Sequence, residues 1–546
     1  MSDREHDVRH HTLSPGGRGR GEGVAWPRLR GHEGIAARRA SRPAAHSDSA
    51  RWAGSPTARY EVVPVGDRPR ECCGLFGIWD AADAARHTYF GLYALQHRGQ
   101  EAAGIAASDG QRLRLHKGPG LVSQVFADPA SLKGLPGAVA IGHNRYSTTG
   151  ASSARNAQPI LIEYKRGQLA AAHNGNLVNS AALRKGMEEE GSIFQTTTDS
   201  EVVLHLVARS RQDALPDAIE ESLRQVVGAY AFLFLSPEML VAVRDPFGWR
   251  PLCFGRLGEA PVVASESCAL DILEAEHVRS LAPGEMLVVD AEGVHSRRLP
   301  AAPRQASCIF EFIYFARPDS RIFGEKADKI RRAFGRRLAE EAPAEADIVI
   351  AVPDSANTAA LGYAERTGLR FEIGLIRNHY VGRTFISPYQ HERDVDVRVK
   401  FNPVAGVLRG KRVVVVEDSI VRGTTLRKLI RLVRGAGAAE VHVRVSSPPI
   451  RCPCFYGIDM STREELIASE HAVEEIRDFI GADSLRYLSV EGMLSVVPDP
   501  EAMCTACFTG DYPTDVPAEF HKEQFEQKRF QESLSDSGRQ PSSRHP

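Results

Sequence analysis

Four consecutive valines, Val413-Val414-Val415-Val416, run into Glu417-Asp418-Ser419-Ile420-Val421-Arg422-Gly423-Thr424-Thr425, and no other stretch constrains the fold as tightly. An unbroken β-branched run predicts a strand buried on both faces, the pattern of a parallel sheet covered by helices. Leu426, Leu429, Ile430 and Val433 then recur at helical spacing, and after Gly435-Ala436-Gly437 the alternating Val441, Val443 and Val445 supply a returning strand. This is a βαβ unit with an acidic loop at a strand's carboxyl end, where open α/β sheets bind ligands. Backbone N–H groups of Gly423 to Thr425 at a helix start, two hydroxyls and Arg422 suit a phosphate, while Glu417 and Asp418 suit ribose hydroxyls or a divalent cation.

The loop resembles the phosphoribosyl pyrophosphate (PRPP) loop of type I phosphoribosyltransferases, in the form used by the glutamine PRPP amidotransferase family. That family's pattern has two aspartates; Glu417 takes the first place here and keeps the charge on a side chain one methylene longer. The resemblance assigns Asp418, Ser419, Arg422, Gly423, Thr424 and Thr425 to PRPP, and Ser355, Glu417 and Asp418 to one magnesium ion per subunit. Ser355 follows Asp347-Ile348-Val349-Ile350-Ala351-Val352-Pro353, a second predicted parallel strand, in a loop that cradles pyrophosphate in the family. From Arg377 to Asn402 runs a long, polar, basic connection between two hydrophobic strands, and loops of that length in compact domains are frequently lids. By resemblance it closes over PRPP, with Arg377, Arg383 and Lys400 offering charge to the phosphates.

An apolar strand beginning at Cys73-Gly74-Leu75-Phe76-Gly77-Ile78 is by default home to an inert thiol. Its context is Gln96-His97-Arg98-Gly99-Gln100, His143-Asn144-Arg145-Tyr146, His173-Asn174-Gly175-Asn176 and Thr198-Asp199-Ser200-Glu201. Together these resemble the N-terminal-nucleophile glutaminase of the class II glutamine amidotransferases. In that arrangement cleavage before Cys73 frees an α-amino group, whose ordinary pKa of about 8 lets it act as base for its own thiol. Cys72 directly precedes Cys73, so either could become the terminus; the resemblance selects Cys73 and makes residues 1–72 the removed segment. It gives the oxyanion to the Asn174 side chain and the Gly175 backbone, and the substrate's own carboxylate and ammonium to Arg145 and Asp199.

The chain has nine cysteines, four of them in Cys452-Pro-Cys454 and Cys504-Thr-Ala-Cys507, spacings more typical of cytosolic metal sites than of disulfides. Spacing alone leaves structural zinc and an iron–sulfur cluster open. Cys454-Phe455-Tyr456-Gly457-Ile458-Asp459 and Cys504 to Gly510, with Cys308, resemble the iron–sulfur form of the family, which implies one [4Fe–4S] cluster per subunit on Cys308, Cys454, Cys504 and Cys507. Cys452 is the rival to Cys454, and Cys253 and Cys268 read as core thiols.

With 546 residues, 42% of them hydrophobic, and a net charge of −1, the chain can hold two or three cored domains and gives no general electrostatic reason to bind nucleic acid or an anionic membrane. It has no apolar run of membrane-spanning length and no secretory h-region, so it is expected to be soluble and cytoplasmic. Residues 1–72 are rich in Arg, Gly, Ser and Pro without periodicity and read as a disordered extension, propeptide or misplaced start. The expected organisation is an α+β glutaminase over 73–303 (a four-layer αββα sandwich), an α/β type I phosphoribosyltransferase over 304–515 (a doubly wound parallel sheet carrying the iron–sulfur site) and a tail over 516–546.

The resemblance implies that glutamine, PRPP and water become 5-phosphoribosylamine, pyrophosphate and glutamate, with ammonia passing internally between two sites. It further implies a homo-oligomer, a tetramer in the family, and feedback by purine nucleotides. Competing readings are another class II amidotransferase such as glucosamine-6-phosphate synthase, whose isomerase domain would lack the Glu417–Thr425 loop, a non-catalytic PRPP-sensing regulator and an electron carrier.

Overall fold

The computed structural model describes residues 73–146, 153–379, 400–460 and 462–516. The extension 1–72, the tail apart from Val516, and Arg383 lie outside the described residues.

Two antiparallel sheets stack face to face. The first has seven strands in the spatial order Glu276–Ser280, Cys253–Leu257, Ala260–Ala264, Gly74–Ile78, Val139–Arg145, Ala102–Ser108, Leu113–Pro119. The second has six, in the order Gly293–Arg298, Glu285–Asp290, Met239–Arg244, Gly228–Ser236, Gly167–Leu177, Ile160–Tyr164. Strand periodicity sorts their side chains into separate cores. Leu75 faces the inter-sheet core with Ile141, Ala172 and Leu233, whereas its neighbour Phe76 packs outward beneath the helix Ala84–Ala94. On the second sheet Ala231, Leu233 and Leu235 point inward, and Tyr230, Phe232 and Phe234 pack outward among residues of the helices Ser200–Arg209 and Leu215–Leu223. The layers are therefore αββα.

The second unit is a five-stranded parallel sheet in the order Arg370–Phe371, Ile348–Ala351, Arg412–Glu417, Glu440–Val445, Ser484–Tyr487. Its central strand carries the four valines, all fully buried. Val414 and Val416 join Phe334, Leu338 and Tyr363 of the helices Ala327–Glu341 and Asn357–Thr367. Val413 and Val415 join Ile476 and Ile480 and the helix Thr424–Gly435, whose buried residues are Leu426, Leu429, Ile430 and Val433, the predicted face. At about 1.5–3 kcal/mol per buried aliphatic side chain, this strand anchors the unit.

The basic connection is bounded by two short strands, and most of it, residues 380–399, lies outside the described residues. Leu375–Arg377 pairs antiparallel with Phe401–Pro403, so the connection springs from a separate two-stranded ribbon and not from the parallel sheet itself. The junction between the units is also held at both ends. Ser307–Cys308 pairs in parallel with Met503–Cys504, while the N–H groups of Ala306 and Cys308 donate to Phe247 O (2.7 Å) and Trp249 O (3.1 Å) of the glutaminase-like unit. Among the described residues no helix is long and apolar enough to cross a membrane.

Candidate functional site

Cys73 is buried immediately before the strand Gly74–Ile78. Its Sγ lies 3.4 Å from Tyr146 O, and the Tyr146 N–H points at it from 3.5 Å. Burial pushes the thiol up; the Tyr146 N–H and Arg145 pull it down, and Glu101 and Asp199 push it up, with a net rise. A thiol held protonated in this way needs a base before it can attack.

Asn174 and Gly175 lie within the strand Gly167–Leu177. Asn174 is fully buried, and neither Oδ1 nor Nδ2 has a hydrogen-bond partner. Such an orphaned amide costs roughly 1–3 kcal/mol and is the mark of a group kept for a ligand. Gly175 has φ +147°, and a Cβ there would sit 2.0 Å from Ala229 O, so the site admits glycine alone.

Arg145 ends the strand Val139–Arg145, and Asp199 precedes the helix Ser200–Arg209; both are buried. The Asp199 carboxylate does not cap that helix. Oδ2 accepts the Leu177 N–H at 2.9 Å, and Oδ1 is 3.6 Å from His173 Nδ1. Burial acts to raise this carboxyl, but His173 and the Leu177 N–H hold it below its ordinary value. Opposite charges, Arg145 and Asp199, thus act on one buried thiol, an arrangement suited to a zwitterionic amino acid.

At the carboxyl ends of the adjacent parallel strands Ile348–Ala351 and Arg412–Glu417, two loops meet. Ser355 Oγ donates to Asp418 Oδ2, Ser419 Oγ donates to Asp418 Oδ1 at 2.6 Å, and the Asp418 N–H donates to Glu417 Oε1 at 3.3 Å. The three expected magnesium residues are therefore together. Their chemistry fits magnesium, which takes one or two protein carboxylates and completes its shell with water and substrate phosphates. Gly423, at φ +73°, turns the chain into the helix Thr424–Gly435, whose first residues are Thr424 and Thr425. Arg422 pairs with Glu465 and Arg377 with Asp354 (3.1 Å), while Lys400 accepts the Asn378 N–H through its carbonyl at 2.8 Å.

The four expected cluster cysteines gather at the junction. Cys308 and Cys504 are register partners, and Cys454 Sγ accepts the Tyr456 N–H at 3.4 Å. Burial pushes all four thiols up, Cys504 to about 11, and neighbouring thiols of the set add to the rise at Cys308, Cys504 and Cys507. Cys452 Sγ instead lies 3.4 Å from the Cβ position of Gly510. Cys308 and Cys507 are buried and Cys454 and Cys504 half-buried; neighbouring thiols that disfavour one another's ionisation fit a shared cationic group that accepts them as thiolates. Among the described residues no three His, Cys, Asp or Glu side chains converge as a ready single-ion site.

The glutamine amidotransferase domain family matches residues 143–271, and the phosphoribosyl transferase domain family matches residues 324–447. The amidophosphoribosyltransferase of Bacillus subtilis is 52% identical over 452 residues, which span 82% of this chain and 95% of that protein. This chain belongs to the amidophosphoribosyltransferase family. A solved structure of the allosteric regulatory enzyme of purine biosynthesis superposes with a TM-score of 0.79 at 51% identity, covering 83% of this chain and 99% of that one. The B. subtilis glutamine PRPP amidotransferase complexed with ADP and GMP gives 0.78 at 51% identity, covering 82% and 99%. The amidophosphoribosyltransferase fold, an N-terminal-nucleophile glutaminase followed by a type I phosphoribosyltransferase, is the architecture seen here.

Sequence motifs miss a buried charge network between the two units. Arg98, Arg250 and Glu266 of the first unit and Glu311 of the second are each at most 1% exposed. Burial acts to raise the Glu266 carboxyl, but His97, at 2.9 Å, and Arg98 hold it well below the usual carboxylate range. One available signal is Glu311 itself, an acid inside the apolar run Cys308-Ile309-Phe310-Glu311-Phe312-Ile313. The same junction brings Phe455 O to within 2.9 Å of the Asn176 side-chain N–H, two residues beyond Asn174.

Proposed function

We propose that this chain converts glutamine, PRPP and water to 5-phosphoribosylamine, pyrophosphate and glutamate, the first committed step of purine synthesis, in the cytoplasm. One observation carries this: a single chain holds a buried cysteine acted on by opposite charges and, at the end of a parallel sheet, an acid–hydroxyl–glycine loop. Residues 1–72 are removed so that the Cys73 α-amino group takes the thiol proton. The thiolate attacks the glutamine side-chain amide, held through Arg145 and Asp199, while the Asn174 Nδ2–H and the Gly175 N–H stabilise the oxyanion. Ammonia leaves as the γ-glutamyl thioester forms, and water hydrolyses that thioester to glutamate.

PRPP sits on Ser419, Arg422, Gly423, Thr424 and Thr425, with Arg377, Arg383 and Lys400 facing its phosphates. Magnesium, held by Ser355, Glu417 and Asp418, would supply charge neutralisation to the departing pyrophosphate. Ammonia then bonds to carbon 1 of PRPP as the bond to pyrophosphate breaks. Cys308, Cys454, Cys504 and Cys507 would hold a [4Fe–4S] cluster that ties the two ends of the second unit together. Mutually interacting thiols within the set, with Cys308 and Cys507 buried, support this over isolated thiols. The relative complexed with ADP and GMP supports purine nucleotides as feedback ligands.

The test is glutamine- and PRPP-dependent pyrophosphate release, with intact mass, iron and sulfide measured on the same anaerobic preparation. A chain starting at Cys73 with about four irons is the expected result. A chain still starting at Met1 would leave Cys73 without a free amine and refute the glutaminase mechanism.

A further inference from the structure

We propose that Glu311, a carboxylate supplied by the phosphoribosyltransferase unit, is a positioning residue for the glutaminase reaction, aligning the Arg98 guanidinium on the main chain of Cys73. This rests on the functional reading above, in which Cys73 is the nucleophile.

Glu311 opens the short helical segment Glu311–Phe315 and is fully buried among aromatic and aliphatic neighbours. A charge in that setting persists only when paired. Both of its arginine partners come from the other unit. Arg98 Nη1 and Nη2 donate to its two oxygens at 2.9 and 2.8 Å, and Arg250 Nη1 donates to Oε1 at 3.2 Å.

A bidentate clamp fixes the plane of a guanidinium as well as its position. Within that fixed plane the Arg98 Nε–H donates to Cys73 O at 3.1 Å. The carbonyl of the nucleophilic residue is thus held by a donor that the second unit orients. The dependence runs both ways: Glu266 of the first unit accepts from Arg98 Nη1 (2.5 Å) and also from Ser320 Oγ (2.6 Å) and the Arg317 N–H (2.9 Å) of the second.

A second arm reaches the oxyanion strand. Arg250 Nη2 donates to Tyr456 O at 2.5 Å, and the next residue, Gly457, has its Cβ position 2.9 Å from the Gly175 carbonyl carbon. Glu311 therefore touches, through one arginine each, the nucleophile and the segment packed on its oxyanion donor. Attack geometry is sensitive to displacements of about 1 Å, so loosening this carboxylate is expected to lower turnover. Affinity is set by Arg145 and Asp199, which other elements place.

The test uses the full-length enzyme carrying Glu311→Gln and, separately, Glu311→Asp. Three quantities are measured: glutamine-dependent kcat and KM, ammonia-dependent turnover of PRPP in the same preparation, and the alkylation rate of Cys73 by a diazoketone glutamine analogue. Glu311→Gln is expected to lower glutamine-dependent kcat roughly 10- to 100-fold. KM and ammonia-dependent turnover should both stay within about threefold, and alkylation should slow in step with kcat. Glu311→Asp, which keeps the charge one methylene back, is expected to recover part of the loss. An unchanged kcat overturns the proposal, and so does equal loss of the glutamine- and ammonia-dependent activities in both variants, the signature of a merely structural contact. A parent enzyme that fails to hydrolyse glutamine would instead refute the functional reading, and that is seen before any variant is compared.

Discussion

Replacing Asn174 by alanine separates stability from catalysis in a way that the geometry makes quantitative. Neither amide atom of this fully buried side chain has a partner, so the folded protein carries an unpaid desolvation cost of roughly 1–3 kcal/mol. Alanine relieves that cost while losing packing of similar size, and the variant is expected to match the parent's stability to within about 1 kcal/mol. The transition state behaves differently. There Nδ2 gains an oxyanion to donate to, and removing one such donor lowers kcat by roughly 10²–10³, about 3–4 kcal/mol of barrier. Because that interaction strengthens only as charge develops, KM for glutamine should move by less than about threefold. Ammonia-dependent pyrophosphate release, which bypasses Cys73, should be unchanged. The assay pairs glutamine- and ammonia-dependent turnover with calorimetric unfolding. A glutamine-dependent kcat within about fivefold of the parent would show that Asn174 is not the oxyanion donor. A sharp loss of Tm together with both activities would show that its burial is structural.

Burial, with Arg145 adding to it, draws the Lys117 ammonium down from 10.5 to about 8. Between those values the unfolded chain holds more protons than the folded one, so stability contributed by this residue rises with pH. The stability difference between the parent and Lys117→Met should shift in the parent's favour from about pH 8 to about pH 10, and a pH-independent difference in denaturant melts would refute this. Gly423→Ala forces a left-handed backbone on a residue with a Cβ, about 1–2 kcal/mol, and brings that Cβ to 3.3 Å from Ile467 and Phe479. It should raise KM for PRPP while leaving basal glutamine hydrolysis, measured without PRPP, intact. Cys308→Ser should lower iron and sulfide content and thermal stability, whereas Cys452→Ser should leave the iron in place; equal iron loss in both would reinstate Cys452 as a ligand.

The doubly wound unit was legible because its signals are local. Val413 to Val416 divide alternately between two cores, and the helix after Gly423 buries the four residues its spacing selects. The paired sheets were legible more coarsely, since runs such as Tyr230 to Phe234 are apolar on both faces and do not say which face meets the other sheet. Glu417, Asp418 and Ser355 were placed together by motif, and the chain brings them together through adjacent strands. The charge network was not legible as a set. Arg98, Arg250, Glu266 and Glu311 share no periodicity, and their pairing depends on a junction that no local pattern encodes. Arg98 even stands inside the Gln96–Gln100 motif, but a motif names a residue without naming its partner. Only Glu311 betrays itself, as a charge in an apolar run.

The parallel pairing of Ser307–Cys308 with Met503–Cys504 has a consequence for the order in which the molecule can be completed. These segments are roughly two hundred residues apart, and closing a loop of that length costs on the order of 5 kcal/mol in chain entropy. Two residues of strand pairing do not offset that cost, so the closure leans on its surroundings, including Phe310 against Phe508 (6.0 Å between ring centres). On the ribosome, chain growth presents the glutaminase strands long before Cys504 and Cys507 exist. The clasp is therefore a late mark: a chain truncated anywhere before Met503 can fold its first sheets but cannot form this pair, which makes its state a report on whether synthesis has passed Cys504.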